Sequence, residues 1–169
     1  KPMSDTQTPS LDYDVLVAGG GMVGASFALA LADTGLRIGL VDSQDLSTLA
    51  SQSLPKESFD PRVSAVTPAS QEFLDSLGVW QGVCERRCAP YTDMRVWDAD
   101  GTGSIHFSAQ EIHAPALGHI VENAILLAAI YGRIAETANI EVIAPVVLSG
   151  LDTRNSERQV CITLEDGRS

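Results

Sequence analysis

The six residues Gly19-Gly20-Gly21-Met22-Val23-Gly24 have the types and spacing to grip a dinucleotide. In such a turn the first glycine allows the tight reversal, the second lets the backbone approach a pyrophosphate, and the third lets helix and strand pack closely. Gly19, Gly21 and Gly24 stand at those three positions. Backbone N–H groups at a helix N-terminus can then hold the phosphates without a basic side chain. Asp42 follows at roughly the 20-residue distance at which an acidic residue accepts hydrogen bonds from ribose hydroxyls. A carboxylate there disfavours a 2′-phosphate, so NADP is not expected as the ligand of this turn. The plainer readings are an empty glycine-rich turn and a strand-terminal Asp42, and the combined context favours dinucleotide binding over both.

Other reactive side chains form no comparable pattern. His106, His113 and His119 are scattered and read as structural or solvent-facing, and no nucleophilic triad stands out. Cys84 and Cys88 could supply two metal ligands, but no second Cys or His pair lies at a matching distance for a four-ligand site. No metal site is expected, and the odd total of three cysteines fits reduced thiols better than a disulfide framework. Catalytic chemistry must therefore come from a bound cofactor, with the protein positioning it.

The elements needed to position the turn are legible around it. Tyr13 to Ala18 reads as a buried parallel strand, and Met22 to Thr34 as a helix with Val23, Phe27, Ala30 and Leu31 on one face and Gly35 as its stop. Arg37 to Val41 is a second buried strand, closing a βαβ unit at Asp42. Ser43 to Pro61 is a long polar connection anchored by Leu46, Leu49 and Leu54. Arg62 to Val66 is expected as a short strand, Pro68 to Leu77 as a helix capped by Gly78, and Trp80 as core. Two alternating runs between Met94 and Phe107 flank Asp98-Ala99-Asp100-Gly101-Thr102-Gly103 and predict a β-hairpin. Gly118 to Val121 is extended, and Glu122 to Ala138 predicts a long amphipathic helix. Glu141 to Val147 and Gln159 to Leu164 read as strands around a polar turn from Asp152 to Arg158.

Composition sets the outer bounds. With 169 residues, 44% apolar and 20% charged, the chain can bury a core and is expected to fold. Its formal charge of −11 argues against a nucleic-acid partner, since that affinity comes largely from Lys and Arg. No apolar run approaches the ~20 residues of a membrane-spanning helix. Residues 1–11 read as an expression scar, Lys1 and Pro2 before Met3, followed by a polar leader.

Asp60-Pro61-Arg62-Val63-Ser64-Ala65, Leu77-Gly78-Val79-Trp80, Val96-Trp97-Asp98 and Leu117-Gly118-His119-Ile120-Val121-Glu122-Asn123 carry a family signal. They resemble the FAD-dependent aromatic hydroxylases of ubiquinone biosynthesis, in the 2-polyprenylphenol hydroxylase branch. In order and spacing the likeness runs from Tyr13 to Gly167. It implies an α/β fold: a Rossmann-like FAD/NAD(P)-binding domain with a parallel sheet and a β-hairpin insertion. It also implies a monooxygenase in which NAD(P)H, as transient reductant, and O2 serve a bound FAD that hydroxylates a polyprenylated phenol.

On that resemblance the cofactor-binding residues are Gly19, Gly21, Met22, Val23, Gly24 and Asp42 for the ADP half, with Arg62 and Glu122 nearer the flavin and Asn123 beside them. Arg62 paired with Asp60 at the surface, and Glu122 as helix N-terminal charge, are the competing readings. Many members of the family carry Glu where Asp42 stands. Its later flavin motifs are absent, so residues 12–169 are expected to be the N-terminal part of an FAD-binding domain, truncated, with the substrate domain largely missing. The chain alone is then expected to be inactive and prone to self-association. The resemblance further implies a cytoplasmic protein, peripheral to the inner membrane or held in a biosynthetic complex. An NAD-dependent dehydrogenase and a non-catalytic dinucleotide-binding module remain the alternatives.

Overall fold

A computed structural model describes residues 13–51, 59–153 and 160–169. The chain is mixed α/β and divides into two compact units, Lys1–Ala50 with Ile134–Ser169, and Ser51–Arg133.

In the first unit, β1 (Val15–Ala18) leaves the chain at the glycine turn and α1 (Met22–Ala30) follows. A 3-10 turn (Ala32–Thr34) and Gly35, at φ +75°, lead into β2 (Ile38–Val41). β2 lies parallel to β1 on one side and to β8 (Ile140–Ile143) on the other, in the order β1-β2-β8. As the central strand it is buried along its whole length, which its unbroken apolar run anticipates. Asn139 fastens the entry to β2 by donating from Nδ2 to the carbonyls of Ala32 (2.9 Å) and Leu36 (2.8 Å). Beside this sheet, β9 (Leu148–Asp152) and β10 (Cys161–Leu164) pair antiparallel. Val41, Ile143, Val146 and Leu164 form a shared core cluster, with Tyr13, Leu148 and Ile162 packed against it.

Helix α1 corrects one expectation. Its buried positions are Ala25, Ser26, Ala28 and Leu29, while Val23 and Phe27 are exposed, at 85% and 51%. The helix is apolar nearly all round, so periodicity could not select a face. Ala25 and Ala28 are fully buried and Leu29 nearly so.

The second unit is built on β7 (Gly118–Glu122), flanked antiparallel by β3 (Val63–Val66) and β4 (Ala89–Tyr91). A Cβ at Gly118 would collide with the Val66 carbonyl oxygen, so glycine is what admits the close approach of β3. Between β3 and β4 lie α2 (Pro68–Ser76) and α3 (Trp80–Arg86). Thr67 caps α2, its Oγ1 accepting from the Ser70 N–H at 3.3 Å; Pro68 opens the helix and Gly78, at φ +69°, follows its end. Trp80 is buried, as expected. The hairpin is present as β5 (Asp93–Trp97) against β6 (Ser104–Ser108). Helix α4 (Asn123–Ala135) follows β7 directly, with Ile125, Ala128 and Ile130 buried on different sides of it.

Several boundaries move. Glu122 closes β7 and is not the first residue of the long helix, which starts at Asn123 and ends three residues early. β8 stops at Ile143, before Pro145, which has no N–H to give a ladder. Strands β4 and β9 and helix α3 were not anticipated. Pro90 argues against a strand but is tolerated because β4 is an edge; α3 is seven residues long with Gly82 inside it; and Ser149 and Gly150 dilute the strand signal of β9. Leu54 and most of the polar turn before β10 fall outside the described residues.

Candidate functional site

The glycine turn and Asp42 come together as one unit of structure. Gly19, at φ +108°, takes a backbone conformation that side chains resist, and its N–H donates to the Val41 carbonyl at 2.8 Å. The Gly20 N–H donates to Asp42 Oδ2 at 2.6 Å, and the Gln44 N–H to Oδ1 at 2.7 Å. Asp42 is itself fixed through its backbone, its N–H reaching the Ile143 carbonyl at 3.2 Å and its carbonyl receiving the Val146 N–H at 2.8 Å. A carboxylate in this state still has a second lone pair on each oxygen for hydroxyl donors.

The other two glycines have different reasons to be there. At Gly24 an added Cβ would overlap the Gly19 carbonyl oxygen and crowd Val17 Cγ1 at 3.2 Å, so this glycine serves the packing of α1 on β1. Gly21 has neither constraint: its φ is −67°, ordinary for any residue, and a Cβ there would meet no atom within 4 Å. A side chain would fill the space in front of the helix. Gly21 is also the N-cap of α1 and offers no side-chain cap; no acidic residue lies in the first turn. The N-terminal amides, including those of Met22 and Val23, are groups that α-helix geometry leaves without intrahelical partners. An uncapped helix end behind a glycine that only an approaching group would require fits the pyrophosphate of a dinucleotide.

Arg62 and Glu122 belong to a second cluster, built on the β3-β7 pairing. Glu122 is 8% exposed and accepts from Arg87 Nε at 2.6 Å, from Arg87 Nη2 at 3.1 Å and from the Asp60 N–H at 2.7 Å. The Arg87 hydrogen bonds, helped by the Asp60 N–H and opposed by burial, hold the Glu122 carboxyl below its usual range. The Arg87 guanidinium also stacks over the Phe59 ring, 4.2 Å from its centroid. The Asp60 carboxylate in turn accepts the Arg62 N–H at 2.9 Å, and that bond lowers its pKa as well. Asn123 completes the frame, its N–H donating to the Arg62 carbonyl at 2.9 Å and its Oδ1 accepting from Ser64 Oγ at 2.7 Å.

The backbone of Arg62 is thus held from both sides, while its side chain is 80% exposed and only loosely paired with Asp60 at 3.5 Å. Sequence reasoning singled out Arg62 and Glu122 but missed Arg87, the residue that joins Glu122 to this frame. The available hint was the Arg86-Arg87 pair in a chain with few cations. Elsewhere, His106 Nε2 meets Asp93 Oδ1 at 3.0 Å on the hairpin, and His119 lies edge-on to Trp80 with ring centroids 5.2 Å apart.

No protein-family model matches the chain. Among curated proteins it is similar to the 3-demethoxyubiquinol 3-hydroxylase of Escherichia coli (strain K12), with 36% identity over 118 residues, covering 70% of this chain and 29% of that protein. It is 33% identical over 156 residues to the ubiquinone hydroxylase UbiL of Rhodospirillum rubrum, covering 92% of this chain and 34% of the relative. The chain therefore spans about a third of the length of the curated relatives it matches. Among solved structures, PqsL, a probable FAD-dependent monooxygenase from Pseudomonas aeruginosa, aligns with a TM-score of 0.66 at 21% identity, over 92% of this chain and 39% of that one. The p-nitrophenol 4-monooxygenase PnpA of Pseudomonas putida aligns at 0.67 and 17%, over 96% and 38%. At those identities the structural likeness speaks to the fold.

Proposed function

From the homology of this chain with the hydroxylases of ubiquinone biosynthesis, over about a third of their length, we propose that it is part of an FAD-dependent monooxygenase acting on a polyprenylated phenol. The first unit is read as Rossmann-like, with the ADP half of FAD at the glycine turn. The observation that carries this reading is Gly21, a glycine that neither its φ nor its neighbours require. The amides of Met22 and Val23 would face the pyrophosphate, Gly19 and Gly24 would keep the turn close, and Asp42 would accept from the ribose hydroxyls. Bound FAD, reduced by NAD(P)H, would supply the activation of O2 for ring hydroxylation. Arg62, its guanidinium only loosely paired, is the residue of the second cluster that the family resemblance assigns to the flavin part. Glu122 holds the backbone beside it in place.

A prenyl tail would bring the substrate from a membrane, so peripheral membrane contact or a biosynthetic complex is part of this proposal. No helix among the described residues is long and apolar enough to cross a membrane.

Titration of the purified chain with FAD, followed by flavin fluorescence with NAD as competitor, tests the reading. Saturable binding that NAD does not displace is expected. Asp42→Ala should weaken it by roughly 10-fold or more, the size of a lost hydrogen bond to a charged group. Gly21→Ala should weaken FAD binding while costing under about 1 kcal/mol of stability, as a cap change does. Gly24→Ala should cost about 1–3 kcal/mol in denaturant melts, the usual penalty of overpacking. Binding of NAD in place of FAD would overturn the assignment in favour of a dehydrogenase.

A further inference from the structure

Cys84 lies in the last turn of α3 and Cys88 just beyond its end, and their sulfurs are 3.4 Å apart. The Arg87 N–H still closes on the Val83 carbonyl at 3.0 Å, and Arg87 itself is extended, at φ −170° and ψ 122°. That change of backbone direction sets Cys88 back beside Cys84. Cys84 is exposed and Cys88 partly so, within reach of small solutes. Among the described residues no group of three His, Cys, Asp or Glu could hold a metal ion, so the pair has no third ligand to make it a metal site. We propose that Cys84 and Cys88 form a reversible two-electron redox site, closing to an intrachain disulfide when the protein meets a peroxide.

The sulfurs need to approach by roughly 1.4 Å to reach bonding distance, which side-chain rotation can supply at the open end of a short helix. One thiol ionises and its thiolate attacks hydrogen peroxide, breaking the O–O bond and leaving a sulfenic acid and hydroxide, which takes up the released proton to give water. The second thiol attacks that sulfur, the S–O bond breaks, and a second water leaves. Two thiols are oxidised by two electrons, one peroxide is reduced to two waters, and no further reactant is needed. Although its surface is exposed, partial desolvation against α3, and then the neighbouring Cys88 thiol, push the Cys84 thiol up to about 11. The thiolate is therefore scarce near neutrality, and the reaction should accelerate as pH rises. Cys161, exposed on β10, is an internal comparison with no thiol near it in sequence.

The test is peptide mapping of the intact chain with and without hydrogen peroxide, thiols being blocked before digestion. Trypsin cuts after Arg86 and Arg87, so the Cys84 and Cys88 peptides separate when reduced and stay joined when a disulfide links them. The expected result is a chain free of interchain disulfides whose Cys84 and Cys88 peptides are joined, the link being broken by dithiothreitol and formed faster at higher pH. Cys88→Ser should leave Cys84 alkylatable or over-oxidised but unjoined. Disulfide-linked dimers in place of the intrachain bond, or blocked free thiols at both positions after peroxide, would overturn the proposal. None of these readouts depends on whether the chain binds FAD.

Discussion

Glu122 is a carboxylate that has been given three donors and little water. Removing Arg87 takes two of those donors and leaves the charge nearly buried, which mutational experience puts at about 1–3 kcal/mol. The pH dependence follows from the direction of the shift. Glu122 titrates below its ordinary 4.5 in the folded chain, so its pairing contributes fully above that value and is lost as pH falls through the folded pKa. Arg87→Met should therefore lower stability at pH 7 and raise the midpoint of acid unfolding, and its deficit should shrink as the pH falls below 4.5 and through the folded pKa. Urea melts across that range check it; an equal deficit at pH 7 and pH 3 would show that Arg87 matters through packing on Phe59 and not through the carboxylate.

At the scale of elements, the β5-β6 hairpin is conspicuous. Its register sets Met94 against Phe107 and Val96 against Ile105, all on one face, with exposures of 42%, 43%, 50% and 58%. The opposite face pairs Arg95 with His106. A two-stranded ribbon is marginal without something packed on its apolar side, and a contiguous exposed apolar patch favours association. Concentration-dependent self-association of this chain is expected in sedimentation velocity, and Ile105→Lys should shift it toward monomer. The same concentration dependence in the variant would place the sticky surface elsewhere.

For the whole molecule, the proposed grip on the ADP half lies in one compact unit and the Arg62 frame in the other. The chain spans about a third of its curated relatives, so a complete substrate pocket is not expected within it. Incubated with FAD, NAD(P)H, O2 and a polyprenylphenol, the 169-residue chain should give no hydroxylated product beyond that of free FAD. Product above that background, measured by mass spectrometry, would mean that this portion carries the reaction by itself.

The glycine turn, its two strands, Gly35 and Asp42 were legible in the sequence because each is a local requirement. A left-handed φ favours glycine, a buried parallel strand reads as an unbroken apolar run, and all of it lies within about thirty residues, the span of one βαβ unit. Pro68 as a helix opener and the hairpin were legible for the same reason, whereas the Thr67 cap was not singled out. What only the tertiary structure decided is which distant groups meet. Glu122 takes Arg87 from 35 positions away and the Asp60 N–H from 62, and those choices follow from β3 and β4 flanking β7 in one register. The sequence offers 22 acidic residues and 11 basic ones without saying which will pair. For the buried side of α1 the sequence points to Val23 and Phe27, which are exposed, since a helix apolar on every side states that it will be covered but not where. Local conformational preference is written residue by residue; partner choice is a property of the packed sheet, where burial and register act together.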